Sequence, residues 1–223
     1  VMHDDQHGTA IVVLAGLINA AKVVHKKLEN LKIVVVGAGA AGRAVTLLLL
    51  KAGIKDVIVT DSVGAIVKGR AGMAPYKEEL ARRSNPRKIA GSVADAVSGA
   101  DVIIGVSGPG TISRRHIETM AKDAIVFALA NPIPEILPED AFNAGACVVA
   151  TGRSDYPNQV NNALAFPGIF RGALDTGVKK ITDEIKLAAA RKIASLVKRP
   201  SAGEIVPKVT FPGLVKAVAS VIR

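Results

Sequence analysis

The sequence predicts a doubly wound α/β domain, in which helices cover both faces of one parallel sheet. Three observations indicate this fold: short, almost wholly apolar strands alternate with helical segments, a glycine-rich turn follows the first strand, and 223 residues suffice for one large domain. Hydrophobic residues make up 49% of the chain and aromatic residues only 3%, so the core must be aliphatic. This composition excludes a mainly disordered chain.

Five strands are predicted where apolar and β-branched residues form short runs: Lys32–Val36, Asp56–Thr60, Asp101–Val106, Ala124–Leu129 and Cys147–Ala150. Helices are predicted between these runs and at both ends of the chain, from composition and the spacing of apolar residues. They are Gly8–Leu28, the stretch from the glycine-rich turn to Ala52, Pro75–Arg83, Ser92–Val97, Ser113–Ala121 and most of the chain from Ile169 onward. The sheet is therefore expected to have flanking helices at both the N- and the C-terminal end.

The net charge of +10 is concentrated near the C-terminus, where residues 171–223 contribute +7. The basic residues there alternate with apolar ones, which is typical of the solvated face of amphipathic helices. Because this region has one aromatic residue, Phe211, we expect no nucleic-acid partner and instead a basic surface that attracts anionic substrates. No apolar stretch reaches the roughly 18–20 residues of a membrane span, so no membrane partner is expected.

The single cysteine, Cys147, cannot form an internal disulfide. An intracellular, reducing compartment fits this cysteine usage, so a cytoplasmic location is expected. The four histidines are scattered, and none of them is paired with a serine or cysteine at an interpretable spacing. The sequence therefore does not support a hydrolase function.

A glycine-rich turn with the spacing G-x-G-x-x-G lies directly after the first strand and before a helix. In this context the backbone can approach a pyrophosphate, which then faces the N-terminus of the helix. The alternative is an ordinary strand-to-helix turn. We predict cofactor binding in a Rossmann-type domain by all six residues, which are Gly37, Ala38, Gly39, Ala40, Ala41 and Gly42.

Asp61 ends the second strand, 19 residues after Gly42. An acidic residue at this place can accept hydrogen bonds from both hydroxyls of the adenosine ribose. Its charge would repel a 2′-phosphate, which favours NAD. However, Ser62, Lys68 and Arg70 follow closely and could bind a phosphate, so NADP stays possible.

A second glycine-rich turn, Gly105–Gly110, overlaps the end of a predicted strand. Ligands of open α/β sheets bind beyond the carboxyl ends of the strands. We therefore predict that Ser107 and Gly108 lie under the nicotinamide ribose of a cofactor, with an ordinary loop as the alternative.

Polar residues also cluster at three other places. Asp4 and Asp5 precede the first helix, where they can either contribute to a Mg²⁺ or Mn²⁺ site or interact with the positive end of the helix. Adjacent carboxylates rarely both reach one ion, so a metal would need ligands from elsewhere. The amides of Asn131, Asn161 and Asn162 can donate to a carboxylate or carbonyl, or serve in turns and helix caps.

Five motifs, taken in order along the chain, resemble those of malic enzymes: Asp4–Ala10, Val36–Gly42, Ile66–Arg70, Phe127–Pro132 and Asn161–Gly168. Each motif is weak alone, but the ordered set covers essentially the whole chain. Residues 1–223 are thus similar to the NAD(P)-binding domain of a malic enzyme.

This resemblance implies oxidative decarboxylation of L-malate to pyruvate and CO₂ with NAD(P)⁺ and Mg²⁺ or Mn²⁺. It implies that Asp5 is a metal ligand and that Asp4 pairs with a catalytic lysine from another segment. It places Asn131 and Asn162 against the substrate near the nicotinamide, with Asn161 beside them as a further catalytic residue, and it makes Asn131 a cofactor-binding residue as well. A homo-oligomer is also implied, because members of the family commonly associate.

The resemblance further implies a preceding domain that carries a tyrosine and a lysine for acid–base chemistry and a Glu-Asp metal pair. This N-terminal catalytic domain is absent from the sequence, and neither Tyr76 nor Tyr156 stands at the family's acid position. We therefore expect the 223 residues to bind a nucleotide but not to turn over malate alone. The alternatives are the Rossmann domain of another two-domain dehydrogenase, of the amino-acid or shikimate type, and a non-catalytic nucleotide-sensing module.

Overall fold

The computed structural model describes residues 2–223, and the first residue of the predicted domain, Val1, lies outside them. Its six strands are β1 (Lys32–Val36), β2 (Asp56–Asp61), β3 (Gly64–Ala65), β4 (Val102–Gly105), β5 (Ala124–Ala128) and β6 (Ala146–Thr151). They form one sheet in the order β3-β2-β1-β4-β5-β6. All neighbouring strands are parallel except β3, which pairs antiparallel with β2. The predicted doubly wound parallel sheet is confirmed.

The helices connect the strands and close both ends of the chain. They are α1 (Thr9–Val23), α2 (Ala40–Lys51), α3 (Pro75–Arg83), α4 (Val93–Val97), α5 (Arg114–Glu118), α6 (Pro138–Asn143), α7 (Phe166–Thr176), α8 (Asp183–Leu196) and α9 (Leu214–Ala219). A π-helical turn, Asp4–Gly8, leads directly into α1. No helix among residues 2–223 is long and apolar enough to cross a membrane.

Every strand predicted from the sequence is found, with its ends within one residue of the predicted ones. The first helix ends earlier than predicted, at Val23, because His25 takes a left-handed conformation with φ of 54°. The amide of Lys26 then returns to the carbonyl of Ala21 at 2.9 Å and closes the helix end. The short elements β3 and α6 were not predicted.

Side chains alternate between two apolar layers, one on each face of the sheet. In β1, Ile33 and Val35 lie in the layer shared with α1, α2 and α8, whereas Val34 and Val36 lie in the opposite layer. In β5, Phe127 belongs to the first layer and is fully buried. Burial on both faces explains why these strands contain so few polar residues.

The outer edge of β6 is covered by the segment that follows it. The amide of Val160 donates to the carbonyl of Thr151 at 2.8 Å, and the Asn158 side-chain amide donates to the carbonyl of Val149 at 2.9 Å. The carboxamide oxygen of Asn158 accepts from the amide of Ile205 at 2.9 Å. One buried asparagine thus ties the sheet edge to the C-terminal part of the chain.

Asn19 makes a similar link from α1. It is 0% exposed, and its side-chain amide donates to the carbonyls of Ala194 and Ile205, each at 2.9 Å. We expect Asn19→Ala to lower the free energy of unfolding by about 2–4 kcal/mol, because two buried carbonyls lose their donor. Urea denaturation measures this loss.

Asn30→Ala is the matched control, because Asn30 is exposed and the change there should be below about 0.5 kcal/mol. Equal unfolding free energies for the Asn19 variant and the unsubstituted protein would contradict the proposed link.

Candidate functional site

Glycine occupies each of three positions in the turn between β1 and α2 for a different structural reason. Gly37 has a φ of 117°, and a Cβ there would lie 2.5 Å from the carbonyl oxygen of Val106. A Cβ on Gly42 would overlap the carbonyl oxygen of Gly37. Gly39, in contrast, faces open space, and a methyl group placed there would have no atom within 4 Å. Gly37 and Gly42 are thus needed for packing, whereas Gly39 leaves room for a ligand at the N-terminus of α2.

Asp61 lies at the carboxyl end of β2, with its side chain 7% exposed. Arg70 donates to both carboxylate oxygens, at 2.9 and 2.5 Å, and Lys77 donates to one of them at 2.7 Å. The backbone amide of Val63 adds a fourth hydrogen bond at 3.0 Å. Burial alone would raise the pKa of Asp61, but the bonds from Arg70 and Lys77 outweigh it and hold that pKa well below its usual range. The carboxylate therefore carries two cationic partners.

The turn after β4 rests against the glycine-rich turn and folds back on itself. The Ser107 and Thr111 hydroxyls lie 2.8 Å apart, and Thr111 donates to the carbonyl of Gly108 at 2.9 Å. The Ser107 side chain is also a neighbour of Gly37. The predicted cofactor residues of the two turns therefore lie side by side at the carboxyl edge of the sheet.

A buried glutamate joins this turn to the end of β5. Glu135 is 0% exposed and accepts hydrogen bonds from the backbone amides of Ser107 at 2.8 Å and Ala130 at 2.9 Å. Sequence reasoning missed it, because a glutamate in a proline-rich loop resembles an ordinary surface residue. The available signal was its position in the otherwise apolar run Pro132–Leu137.

The π-helical turn brings Asp4 to Asn162, 158 residues later in the chain. The Asn162 side-chain amide donates to Asp4 Oδ2 at 2.6 Å. Gly8 makes this possible, because a Cβ there would overlap Asp4 Oδ1. Asn161 instead caps a short 3₁₀ turn by accepting from the amide of Ala163 at 2.9 Å. The structure thus joins two predicted site residues and gives the third a capping contact.

The other oxygen of Asp4, Oδ1, is buried and has no hydrogen-bond partner within residues 2–223. Burial raises the pKa of the Asp4 carboxyl, although the hydrogen bond from Asn162 opposes this shift. Asp5 points outward, with its side chain 82% exposed. In the described part of the chain no group of three or more His, Cys, Asp or Glu residues is placed to hold a metal ion.

Asn131 follows β5 directly and is exposed to solvent. The loop that carries it is held by Arg153, whose guanidinium donates to the carbonyl of Pro132 at 2.8 Å and pairs with Asp155 at 2.6 Å. Asn131 therefore stands at the same edge of the sheet as the two glycine-rich turns.

A groove of about 380 Å³ runs along the outer side of α2, starting at Gly39 and Ala40. Its lining includes four cationic side chains and one carboxylate, and the buried Nε of Arg43 has no hydrogen-bond partner among residues 2–223. The lining cations are Arg43, Lys51, Arg83 and Lys186. Each of these cations has an ion-pair partner, because Glu79 binds Arg43 and Arg83, and Asp183 binds Lys51 and Lys186.

These features define a class of protein. A parallel strand, a G-x-G-x-x-G turn, a helix and an acid at the end of the next strand together form the dinucleotide-binding unit of dehydrogenases.

Comparison with known proteins narrows this class to one family. Residues 6–220 match the family model described as the malic enzyme NAD-binding domain, and the chain belongs to that family. It is 52% identical to the NAD-dependent malic enzyme of Geobacillus stearothermophilus over 100% of this chain and 47% of that protein. It is 53% identical to the bifunctional malic/malolactic enzyme of Bacillus subtilis over 98% of this chain and 55% of that protein.

An NADP-dependent relative and a solved structure agree with this assignment. The NADP-dependent malic enzyme of Halomonas elongata is 46% identical over 90% of this chain and 47% of that protein. The crystal structure of malic enzyme from Pyrococcus horikoshii matches with a TM-score of 0.94 at 48% identity, over 99% of this chain and 53% of that chain. The chain spans about half the length of these four relatives.

The glycines allow packing and binding to be separated by mutation. Gly39→Ala is expected to leave the melting temperature unchanged but to weaken NAD⁺ binding roughly tenfold, because the methyl group fills space at the pyrophosphate position. Gly42→Ala is expected to destabilise the fold itself through the clash with Gly37. Calorimetric titration and thermal melts distinguish the two effects, and an equal loss of stability in both variants would contradict this assignment.

The ion pairs of Asp61 predict a pH dependence of stability. The folded-state pKa lies below the unfolded value of about 4, so the stabilisation is present above pH 4 and is lost as the pH falls through the folded-state pKa. At pH 7, Asp61→Asn should cost about 3 kcal/mol of unfolding free energy. The difference from the unsubstituted protein should shrink below about pH 4.

Urea unfolding between pH 3 and pH 8 measures this difference. Asp175→Asn serves as the control, because Asp175 pairs with Arg171 on an exposed helix surface and should change stability little. A difference for Asp61→Asn that does not vary with pH would disprove the role of the ion pairs.

Proposed function

We propose that this chain is the cofactor-binding part of an enzyme that oxidatively decarboxylates L-malate to pyruvate and CO₂ with NAD(P)⁺ and a divalent metal ion. The observation that carries the proposal is the Asp4–Asn162 pair, which lies in two motifs of the family and leaves one buried carboxylate oxygen without a hydrogen-bond partner among residues 2–223. A lysine from another segment would supply that partner, as the family resemblance implies.

The cofactor end of the site is assigned to the residues around the carboxyl ends of β1, β2 and β4. The amides of Gly37–Gly42 face the pyrophosphate, and the carboxylate of Asp61 faces the adenosine ribose. Ser107 and Gly108 support the nicotinamide ribose. The adjacent positions of the two turns support this path for the dinucleotide.

The substrate end of the site is assigned to the side-chain amides of asparagine residues. Asn131 donates to a substrate carboxylate or carbonyl beside the nicotinamide, and so does Asn162, with Asn161 holding the turn on which Asn162 lies. Neutral amides orient an anionic substrate without exchanging protons with it. In this reaction NAD(P)⁺ would accept the hydride from C2 of malate, a base would take the proton of the C2 hydroxyl, and CO₂ would then leave the resulting 2-oxo acid.

Asp5 is proposed as a ligand of Mg²⁺ or Mn²⁺. Its exposed carboxylate is a ligand of the type that these ions prefer. Because residues 2–223 form no cluster of ligands, the remaining ligands have to come from another part of the protein. When bound, the ion polarises substrate oxygen atoms and stabilises the charge that develops on loss of CO₂.

For the cofactor we propose NAD, with NADP also accepted. Asp61 favours NAD because it would repel a 2′-phosphate. However, Arg70 and Lys77 balance its charge at distances of 2.5–2.9 Å, which reduces this repulsion. The Ser62 hydroxyl and the Lys68 side chain are close in sequence and could contribute to phosphate binding.

The partners proposed are malate or pyruvate, the N-terminal domain that the family resemblance implies, and a second copy of the protein. Apolar side chains on α7 support a covering partner, since Phe166, Phe170 and Leu174 are 36%, 42% and 74% exposed. The cytoplasmic location and the homo-oligomer both stay predictions.

The decisive experiment measures NADH formation from malate with Mn²⁺ by its absorbance, for residues 1–223 and for the same residues joined to the N-terminal half of a relative. We expect nucleotide binding but no turnover from the chain alone and turnover from the joined protein. Asp5→Ala in the joined protein should abolish turnover while leaving NAD⁺ binding intact.

Each other outcome contradicts part of the proposal. Turnover by the chain alone would show that the acid–base residues lie within it. Nucleotide binding without any response to malate in the joined protein would favour a nucleotide-sensing module. Activity with malate that does not require a divalent ion would contradict the proposed role of Asp5 as a metal ligand.

A further inference from the structure

Glu135 is a fully buried carboxylate that the proposed function does not use. One of its oxygens, Oε1, accepts from the Ser107 amide at 2.8 Å and lies 3.5 Å from the Ser107 hydroxyl. The other, Oε2, accepts from the amide of Ala130 at 2.9 Å. The two oxygens thus bind two different loops, and each oxygen has a backbone amide as its donor.

The backbone around Glu135 is shaped to fit this side chain. A Cβ on Gly105 would lie 2.5 Å from the Glu135 carboxyl carbon, so only glycine leaves room for it at the end of β4. The carbonyl of Glu135 also accepts from the amide of Ile112 at 3.3 Å. Glu135 is therefore attached to the turn after β4 through both its backbone and its side chain.

The choice of a carboxylate at this position is costly in free energy. Burying a charged group without a cationic partner is unfavourable by several kcal/mol unless hydrogen bonds compensate for the loss of water. An apolar side chain of similar size would fill the same volume without that cost. What a carboxylate adds is a rigid bridge between two backbone amides whose separation it determines.

We propose that Glu135 is a positioning residue for the nicotinamide half of the cofactor site. It fixes the turn that carries Ser107 and Gly108 relative to the loop that carries Asn131, because it binds the residues Ser107 and Ala130 themselves. The adenosine half, at the glycine-rich turn and Asp61, has no hydrogen bond with it among residues 2–223. This inference rests on the proposed function, since it assumes that a dinucleotide lies across the two loops.

The test compares two ligands on the same variants by calorimetric titration. NAD⁺ occupies both halves of the site, whereas 5′-ADP occupies only the adenosine half. In Glu135→Gln one carboxylate oxygen becomes an NH₂ group, which faces a backbone amide donor and breaks one of the two bridges. We expect NAD⁺ binding to weaken at least about tenfold and 5′-ADP binding to change less than about twofold.

Two further variants complete the test, one as a control and one as a substitute for a variant that does not fold. Glu139→Gln is the matched control, because Glu139 is exposed on α6, and it should change neither affinity. Glu135→Asp retains the charge but is one methylene shorter, and it replaces Glu135→Gln if thermal melts show that the glutamine variant does not fold. The aspartate variant should also weaken NAD⁺ more than 5′-ADP.

The remaining outcomes overturn the inference or the proposed function separately. Equal weakening of both ligands would show that Glu135 supports the fold as a whole, and unchanged NAD⁺ affinity would show that the bridge is dispensable. Either result overturns the positioning role while leaving the proposed function intact. If the unsubstituted protein binds neither NAD⁺ nor 5′-ADP, the proposed cofactor site itself is wrong.

Discussion

Burial of both faces of one parallel sheet is the constraint on which the rest of this structure depends. Because β1, β4 and β5 are covered on each side, they can hold almost no polar side chain. Polar side chains are therefore confined to the ends of the strands. The glycine-rich turn, Asp61, the turn of Ser107 and the loop of Asn131 all lie at the carboxyl ends, where the strands end in turns.

Contacts along this edge join the candidate site residues into a series. Gly37 lies against the Ser107 turn, which Glu135 bridges to Ala130, and Arg153 holds the next loop through the carbonyl of Pro132. Asn162 and Asp4 complete the series at the start of α1. Parts of the chain that are far apart in sequence thus form one surface, and a shift of one loop would displace the loops that it contacts.

The sequence predicted the strands well because runs of Val and Ile have few other structural solutions in a domain of this size. It failed for β3, which has only two residues, and for α6, which is too short to show a helical period. The position of Asp61 could be predicted, but its bonds with Arg70 and Lys77 could not. The bond with Lys77 depends on how α3 packs, and the bond with Arg70 depends on the path of the segment between β3 and α3, neither of which local sequence determines. The bonds of Glu135 could not be predicted either, because its two partners lie in separate loops, one after β4 and one after β5.

Asn158, at the outer edge of β6, also affects how two copies of this protein can associate. Open strand edges invite a strand from another molecule, which is a common route to aggregation. Here the Asn158 side chain and the amide of Val160 already occupy carbonyls along that border. Joining two sheets into a continuous one through β6 is therefore disfavoured.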